Sequence, residues 1–224
     1  MQILKICCDA SQKTIAGRIF TCSGAISINS KQTKYEILSD STNNRGELMA
    51  VYLACRLAYE ESQCQKYDRI NVYSDSQFVI YGLTRWMPAW IKSMETNIHH
   101  IMMGSSGGAV ANQNMFLMIL TYLWLNRLTI HFYNQKGHVN INKRESLEDA
   151  NKQFYMANGF YLKPDELIEL SNFNNFIDKA TRDLLDLVDP NQYPIVYHSP
   201  GTVSPCRYIV PEDYMLYVRK GSEH

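Results

Sequence analysis

At 224 residues, 46% hydrophobic and 20% charged, the chain has the composition of an ordinary folded protein, long enough for one large domain or a main domain with an appendage. A formal net charge of +0 excludes a strongly basic footprint over the whole chain, but residues 1–159 carry a net +4 and residues 160–224 a net −4. The longest apolar run, Met115–Leu125, is too short for a bilayer, and the first residues carry the expectation of no secretory or transit segment.

Six cysteines without CxxC or knuckle spacing read as small core residues, so the expectation is a cytoplasmic protein in a reducing compartment with no membrane partner. The apolar run Ile3–Cys8 predicts a first strand closed by Asp9, followed by a polar connection over Asp9–Lys13. Residues 15–28 and 33–39 predict two more strands, with a hairpin turn at Asn29–Gln32. Ser41-Thr42-Asn43-Asn44 supplies N-cap chemistry for a long helix whose apolar side runs Leu48, Val51, Cys55, Ala58. Arg69–Ser74 predicts a fourth strand, closed by Asp75. A helix over Gln77–Arg85 follows, broken near Pro88 because the ring does not fit a helix interior.

The glycine- and serine-rich stretch 104–114 reads as a flexible connector into an apolar helix around Met115–Leu125. Leu128–Asn134 predicts a fifth strand, with Ile130 and Phe132 on one face and His131 and Tyr133 on the other. The polar loop Gln135–Glu145 enters a helix carrying Leu147, Ala150, Phe154 and Ala157, ended by Gly159. Beyond it, Pro164 can begin a helix, and a second helical stretch, Phe173–Val188, sets Phe176, Ile177, Ala180 and Leu184 on one side. The tail Pro194–Lys220 reads as strand-like between Tyr208 and Tyr217. The order predicts an α/β fold over residues 1–159, a five-stranded mixed sheet with helices on both faces, and a small α+β appendage over 160–224.

Four carboxylates stand where they can meet a metal: Asp9 and Asp75 at predicted strand ends, Glu47 in the first turns of the long helix, and Asp149 beside Ala150. Acids drawn from distant parts of a chain to one sheet edge repel unless cations intervene, and hard oxygen donors favour magnesium or manganese. Taken singly, Asp9 and Asp75 suit turns or caps; their joint placement favours a metal site of the kind that hydrolyses phosphodiesters. Trp86 and Trp90 at i, i+4 suit either a packing stripe or a nucleic-acid contact. His99-His100 lacks further ligands at zinc spacing.

The segments Thr42-Asn43-Asn44-Arg45-Gly46-Glu47-Leu48-Met49-Ala50, Ser74-Asp75-Ser76-Gln77, Trp86 and Trp90, Lys136-Gly137-His138, and Asp149-Ala150 together resemble bacterial-type ribonuclease HI, in order, over residues 1–158. The resemblance implies a ribonuclease H-like fold and metal-dependent endonucleolytic cleavage of the RNA strand of RNA–DNA hybrids, leaving 5′-phosphate and 3′-hydroxyl ends. It implies that Asp9, Glu47, Asp75 and Asp149 hold two Mg2+ ions about 4 Å apart, with Mn2+ as a substitute. It further implies a proton-transfer role for His138, minor-groove contacts by Asn43, Asn44 and Gln77, a DNA-phosphate contact by Thr42, and packing of Trp86 and Trp90 against the DNA strand. A non-catalytic hybrid- or protein-binding module and a DNA resolvase-like nuclease are the alternative readings.

Three departures from the family pattern carry expectations of their own. Ala10 follows Asp9 where the family has glycine. The segment Trp86–Gln113 is poor in lysine, which predicts weaker hybrid affinity or reliance on another element. Residues 160–224 have no counterpart in the minimal enzyme, and their net −4 argues for docking a protein partner or packing on the chain itself rather than for contact with a polyanion.

Overall fold

The computed structural model describes residues 1–97, 100–193 and 214–221. Its centre is a six-stranded sheet in the order β3-β2-β1-β4-β5-β6, formed by Thr33–Ser39 (β3), Arg18–Ser27 (β2), Ile3–Ile15 (β1), Arg69–Ser74 (β4), Ile130–Asn134 (β5) and Val218–Lys220 (β6). β1, β2 and β3 are antiparallel, while β4, β5 and β6 run parallel to β1. The sixth strand corrects the expected five: three residues of the tail bond to the free side of β5 through Ile130↔Val218 and Phe132↔Lys220. Most of the Tyr208–Tyr217 stretch lies outside the described residues, and its end, Tyr214–Leu216, is a 3-10 turn.

β1 does not stop at Asp9. It continues six residues further because Ala10–Ile15 pairs with β2 across the two-residue turn Ala16-Gly17, both at positive φ (49° and 77°). Such turns match the twist of the strands they join, and glycine tolerates that geometry without strain. The pairing with β4 ends earlier, at Cys7↔Tyr73. Asp9 and Asp75 therefore each lie two residues beyond the last paired position, where the two parallel strands part.

Alternation along β1 sorts its side chains by face. Leu4, Ile6, Cys8 and Ala10 meet the main core, which helix α1 (Asn43–Cys64) and helix α4 (Gln113–Leu125) fill with Leu48, Val51, Leu120 and Leu123. Thr42 caps α1, its Oγ1 accepting from the Arg45 amide at 3.3 Å. Ile130 and Phe132 of β5 join the same core, and Tyr133 turns to the opposite face. Between β4 and α4 the chain forms helix α2 (Gln77–Tyr81), a single π-turn at Gly82–Trp86 and helix α3 (Met87–Thr96). The expected break at Pro88 is instead a change of helical phase: the backbone stays helical through the π-turn, where Met87 N–H bonds the Gly82 carbonyl, and into α3, with Pro88 its second residue. Among the described residues, no helix is long and apolar enough to cross a membrane.

The opposite face of the sheet is covered by helix α5 (Arg144–Asn158) and helix α6 (Pro164–Asp186). The stretches expected as two helices after residue 160 are this one 23-residue helix. α6 lies along β1 and β2, burying Leu167, Leu170, Ile177 and Leu185 against Cys7, Ile26, Phe20 and Cys22. Its inner stripe runs Leu167, Leu170, Asn174, Ile177, Asp178, Thr181, Leu185, whereas Phe176, expected to face inward, is 51% exposed. Four polar residues on the buried face, Ser171, Asn174, Asp178 and Thr181, displace the stripe from where apolar residues alone would put it. Beyond the boundary expected at residue 159, α6 packs directly on β1 and β2.

The opposed charges of the two sequence segments also meet here. Lys5 pairs with Glu166 and Glu169 at 3.5 and 3.3 Å, and Lys13 pairs with Asp186. Gly24, opposite Asp9 in the register, makes the close approach possible: a Cβ there would fall 2.8 Å from Thr181 Cγ2 and 2.9 Å from Ile177 Cδ1. Ser11 Oγ lies 2.8 Å from Thr181 Oγ1 and ties the helix to β1 on the other side of Asp9.

Candidate metal centre

Three of the four expected carboxylates converge. Asp9, Glu47 and Asp75 each bring one oxygen within 4.8 Å of the others. Asp9 and Asp75 arrive from the fork between β1 and β4, and Glu47 from the second turn of α1. Gly46 allows that turn to press on the sheet, since a Cβ there would stand 2.1 Å from Thr21 Cγ2, and Ser23 Oγ donates to its carbonyl at 2.8 Å. Asp9 and Glu47 are buried, and Glu47 Oε2 has no hydrogen-bond partner.

These groups resist ionisation together. Burial, then the charge of Asp75, pushes the Asp9 carboxyl up to about 8, against a hydrogen bond from the Ala10 amide that favours the charged form. Burial, then Asp9 and Asp75, raises Glu47 well above the carboxylate range. Burial raises Asp75 as well, opposed chiefly by the nearby His138. A buried, unpaired oxygen among three crowded carboxylates is the donor set of a hard divalent cation, which would cancel their repulsion. The residues fit the metal that the resemblance implies.

Asp149 does not join them. On α5 the buried positions are Ala150, Phe154, Ala157 and Asn158, a face that leaves Asp149 outward, 48% exposed and paired with Lys136. Gln153 Nε2 also donates to it at 3.1 Å, and Lys136 draws its carboxyl below the usual range. The nearby acid is instead Asp178, buried at 6% on the inner stripe of α6, and its charge acts on Asp9, Glu47 and Asp75 alike. Its Oδ2 is 3.2 Å from His138 Nδ1 and 2.6 Å from Arg182 Nη2. Sequence order alone missed Asp178. The available signal was alternation: Asp9 shares a face with Lys5, Cys7, Ser11 and Lys13, all of which meet α6, so the helix covering that face can bring a further acid towards Asp9.

His138 projects from the loop after β5 with φ 52°, its side chain 72% exposed. Gly137 before it is pressed on Asp75, where a Cβ would stand 2.1 Å from Oδ2. One turn of α6 before Asp178, Asn174 is almost fully buried and accepts from Gln135 Nε2 at 2.7 Å. Asn174 Nδ2 is buried without a hydrogen-bond partner and lies near enough to Asp75 to favour its charged form.

Thr42, Asn43 and Asn44 are exposed at the start of α1, and Gln77 is exposed at the start of α2. The two tryptophans separate. Trp90 is 8% exposed and packs edge-on against Phe116 at 5.2 Å, a core role, whereas Trp86 is 40% exposed. Trp86 still rests on Trp90, ring centres 5.7 Å apart, so the shared stripe and the open surface are both real. His100 is exposed, and His99 lies outside the described residues. Cys7, Cys8, Cys22 and Cys55 are buried free thiols, as a core reading requires, but Cys64 is exposed, against that reading, and Cys206 lies outside the described residues.

A family model described as RNase H matches residues 2–152, a range that includes Asp149 and stops before α6. The chain is 36% identical over 105 residues to a ribonuclease H of Neorickettsia sennetsu, covering 43% of this chain and 62% of that protein. It is 44% identical over 71 residues to a ribonuclease H of Hahella chejuensis, covering 31% and 44%. The chain thus spans less than two thirds of the length of these curated relatives. Among solved structures it is similar to LC9-RNase H1, described as a type 1 RNase H with the type 2 active-site motif, at 17% identity and a TM-score of 0.44 over 81% of this chain and 85% of that one.

Proposed function

Since this chain belongs to the RNase H family, we propose that it is a metal-dependent endoribonuclease that cuts the RNA strand of RNA–DNA hybrids in the cytoplasm. The observation that carries the reading is the convergence of Asp9, Glu47 and Asp75 within 4.8 Å at the fork of β1 and β4. Those three would hold Mg2+, with Mn2+ as a substitute; Asp178, whose charge acts on all three, lies outside the set within 4.8 Å, as Asp149 does. When bound, the ions activate the attacking water and neutralise charge on the leaving oxygen.

The remaining work falls to the chain's own groups. Asp178 holds one ring nitrogen of His138 and leaves the rest of an exposed imidazole free to carry a proton between the site and solvent. Asn43, Asn44 and Gln77 present amides that both donate and accept, the chemistry needed to sense a 2′-hydroxyl. Thr42 stands at the positive end of α1, where a DNA phosphate is favoured. Trp86 offers an open ring for sugar packing, while Trp90 supports it from below.

The test is a gel assay of a labelled RNA–DNA hybrid with magnesium. Wild type should cut the RNA strand to 5′-phosphate products, and Asp75→Asn should not. Equal activity of the two proteins would overturn the proposal.

A further inference from the structure

Helix α5 carries an exposed aromatic surface for which the site described above has no use. Tyr155 and Tyr161 stack with ring centres 4.5 Å apart and planes 10° from parallel, yet they are 44% and 59% exposed, and Met156 beside them is 72% exposed. The stack is built into the backbone. Asn151 clamps the returning loop through both the amide and carbonyl of Leu162, at 2.9 and 3.0 Å, which brings Tyr161 back over the helix. Exposed aromatics held in a fixed arrangement mark a contact surface.

The surface lies beside the acidic cluster. α5 is bracketed in the chain by His138 and Asp178 and is pinned to the site edge of the sheet. Asn158 exchanges hydrogen bonds with the backbone of Asn134, the last residue of β5, at 2.8 and 3.2 Å. Arg85 donates to the Ala157 carbonyl at 2.7 Å, placing the end of α5 next to Trp86, and Asp149 pairs with Lys136 of the histidine loop.

Charge indicates the occupant. Of the three acids on α5, two are matched, Glu148 by Arg144 and Asp149 by Lys136. Lys152, one turn before Tyr155, and Lys163, two residues after Tyr161, are exposed and take part in no ion pair among the described residues. Flat rings interleaved with lysines suit a partner that has both stacking faces and phosphates.

We propose that the outer face of α5, through Tyr155 and Tyr161 with Lys152 and Lys163, is a nucleic-acid grip that extends the substrate contact beyond the cleavage site. It supplies what the lysine-poor segment Trp86–Gln113 lacks. The inference rests on the hybrid-cleaving function proposed above, with a strand of the same hybrid as occupant.

The test is equilibrium binding of the full chain to a fluorescent RNA–DNA hybrid in calcium, over a range of salt, beside a magnesium cleavage assay. Tyr155→Ala/Tyr161→Ala should weaken binding roughly tenfold with an unchanged melting temperature. Lys152→Gln/Lys163→Gln should lower the slope of log affinity against log salt by about 1 to 2. If wild type cleaves the hybrid but both double variants keep its affinity and salt slope, the grip is refuted and the enzyme reading stands. Loss of self-association in the tyrosine variant with unchanged hybrid affinity would assign the face to protein contact and refute it equally. If wild type neither binds nor cuts the hybrid, both inferences fall. A tyrosine variant that melts early is replaced by Tyr155→Ser alone, judged by the same two readouts.

Discussion

Helices α5 and α6 each carry an aspartate paired to a basic residue, Asp149 to Lys136 and Asp178 to Arg182, but they treat that acid differently. α6 lies flat along β1 and β2, so its inner stripe is buried over most of its length and Asp178 is held at 6% exposure beside the cluster. α5 is anchored mainly through Phe154 and the backbone bonds near Asn158, and the turn carrying Asp149 faces outward. The same functional group is thus a candidate ligand on one helix and a surface ion pair on the other. What distinguishes them is the face each helix buries, which depends on the neighbouring layer rather than on local spacing.

The sharpest way to break this comparison is to neutralise each acid in turn. Asp178→Asn should lower hybrid cleavage on the order of 100-fold or more, while Asp149→Asn should change it by less than about threefold. Steady-state rates on one hybrid decide it, and equal losses would erase the distinction.

A second test concerns seating. Gly24→Val puts a branched side chain where Thr181 and Ile177 already stand, and lifting α6 should cost about 2–3 kcal/mol in urea denaturation. Gly159→Ala, at the φ 95° residue that ends α5, should cost about 1 kcal/mol. The reverse order would mean that α5, not α6, is the integral layer.

The smallest effect is a linkage between pH and metal. A carboxyl raised in the folded protein from 3.8 to about 8 costs no stability below the lower value and progressively more as pH rises through the interval. Metal-free protein should therefore lose stability between about pH 5 and pH 8. Asp9→Asn should recover roughly 2–8 °C of melting temperature near the upper end and none near about pH 4. Magnesium should raise the melting temperature more at the upper end; a larger rise in acid would contradict the assignment of buried, repelling carboxylates.

Much of the fold was legible because it is governed by local pattern. The alternation of Ile130, His131, Phe132 and Tyr133 placed β5 with its faces correctly assigned, and the stretch Ser41–Asn44 was recognisable as capping α1, where Thr42 supplies the bond. The passage of β1 through Asp9 was not, because Ala10–Ile15 is strand only by virtue of its partners in β2. α6 was read as separate because its inner face includes Asn174 and Asp178, which an apolar count treats as breaks. Trp86 and Trp90 show the same limit: four residues apart, they divide into an open ring and a core ring only once Phe116 arrives from α4.

The sequence carried, through its resemblance to a known family, the expectation of hybrid cleavage and of four acids, Asp9, Glu47, Asp75 and Asp149, and, through its periodicity, five strands in chain order. Only the tertiary structure shows that α6, beyond residue 159, packs on β1 and β2, and that Asp178 is buried on its inner face while Asp149 is exposed and paired with Lys136. The physical reason is that an acid at the edge of a sheet meets whichever helix covers its face, and the identity of that helix is settled by close approach at Gly24 and the ion pairs of Lys5 and Lys13, contacts between residues more than 150 positions apart.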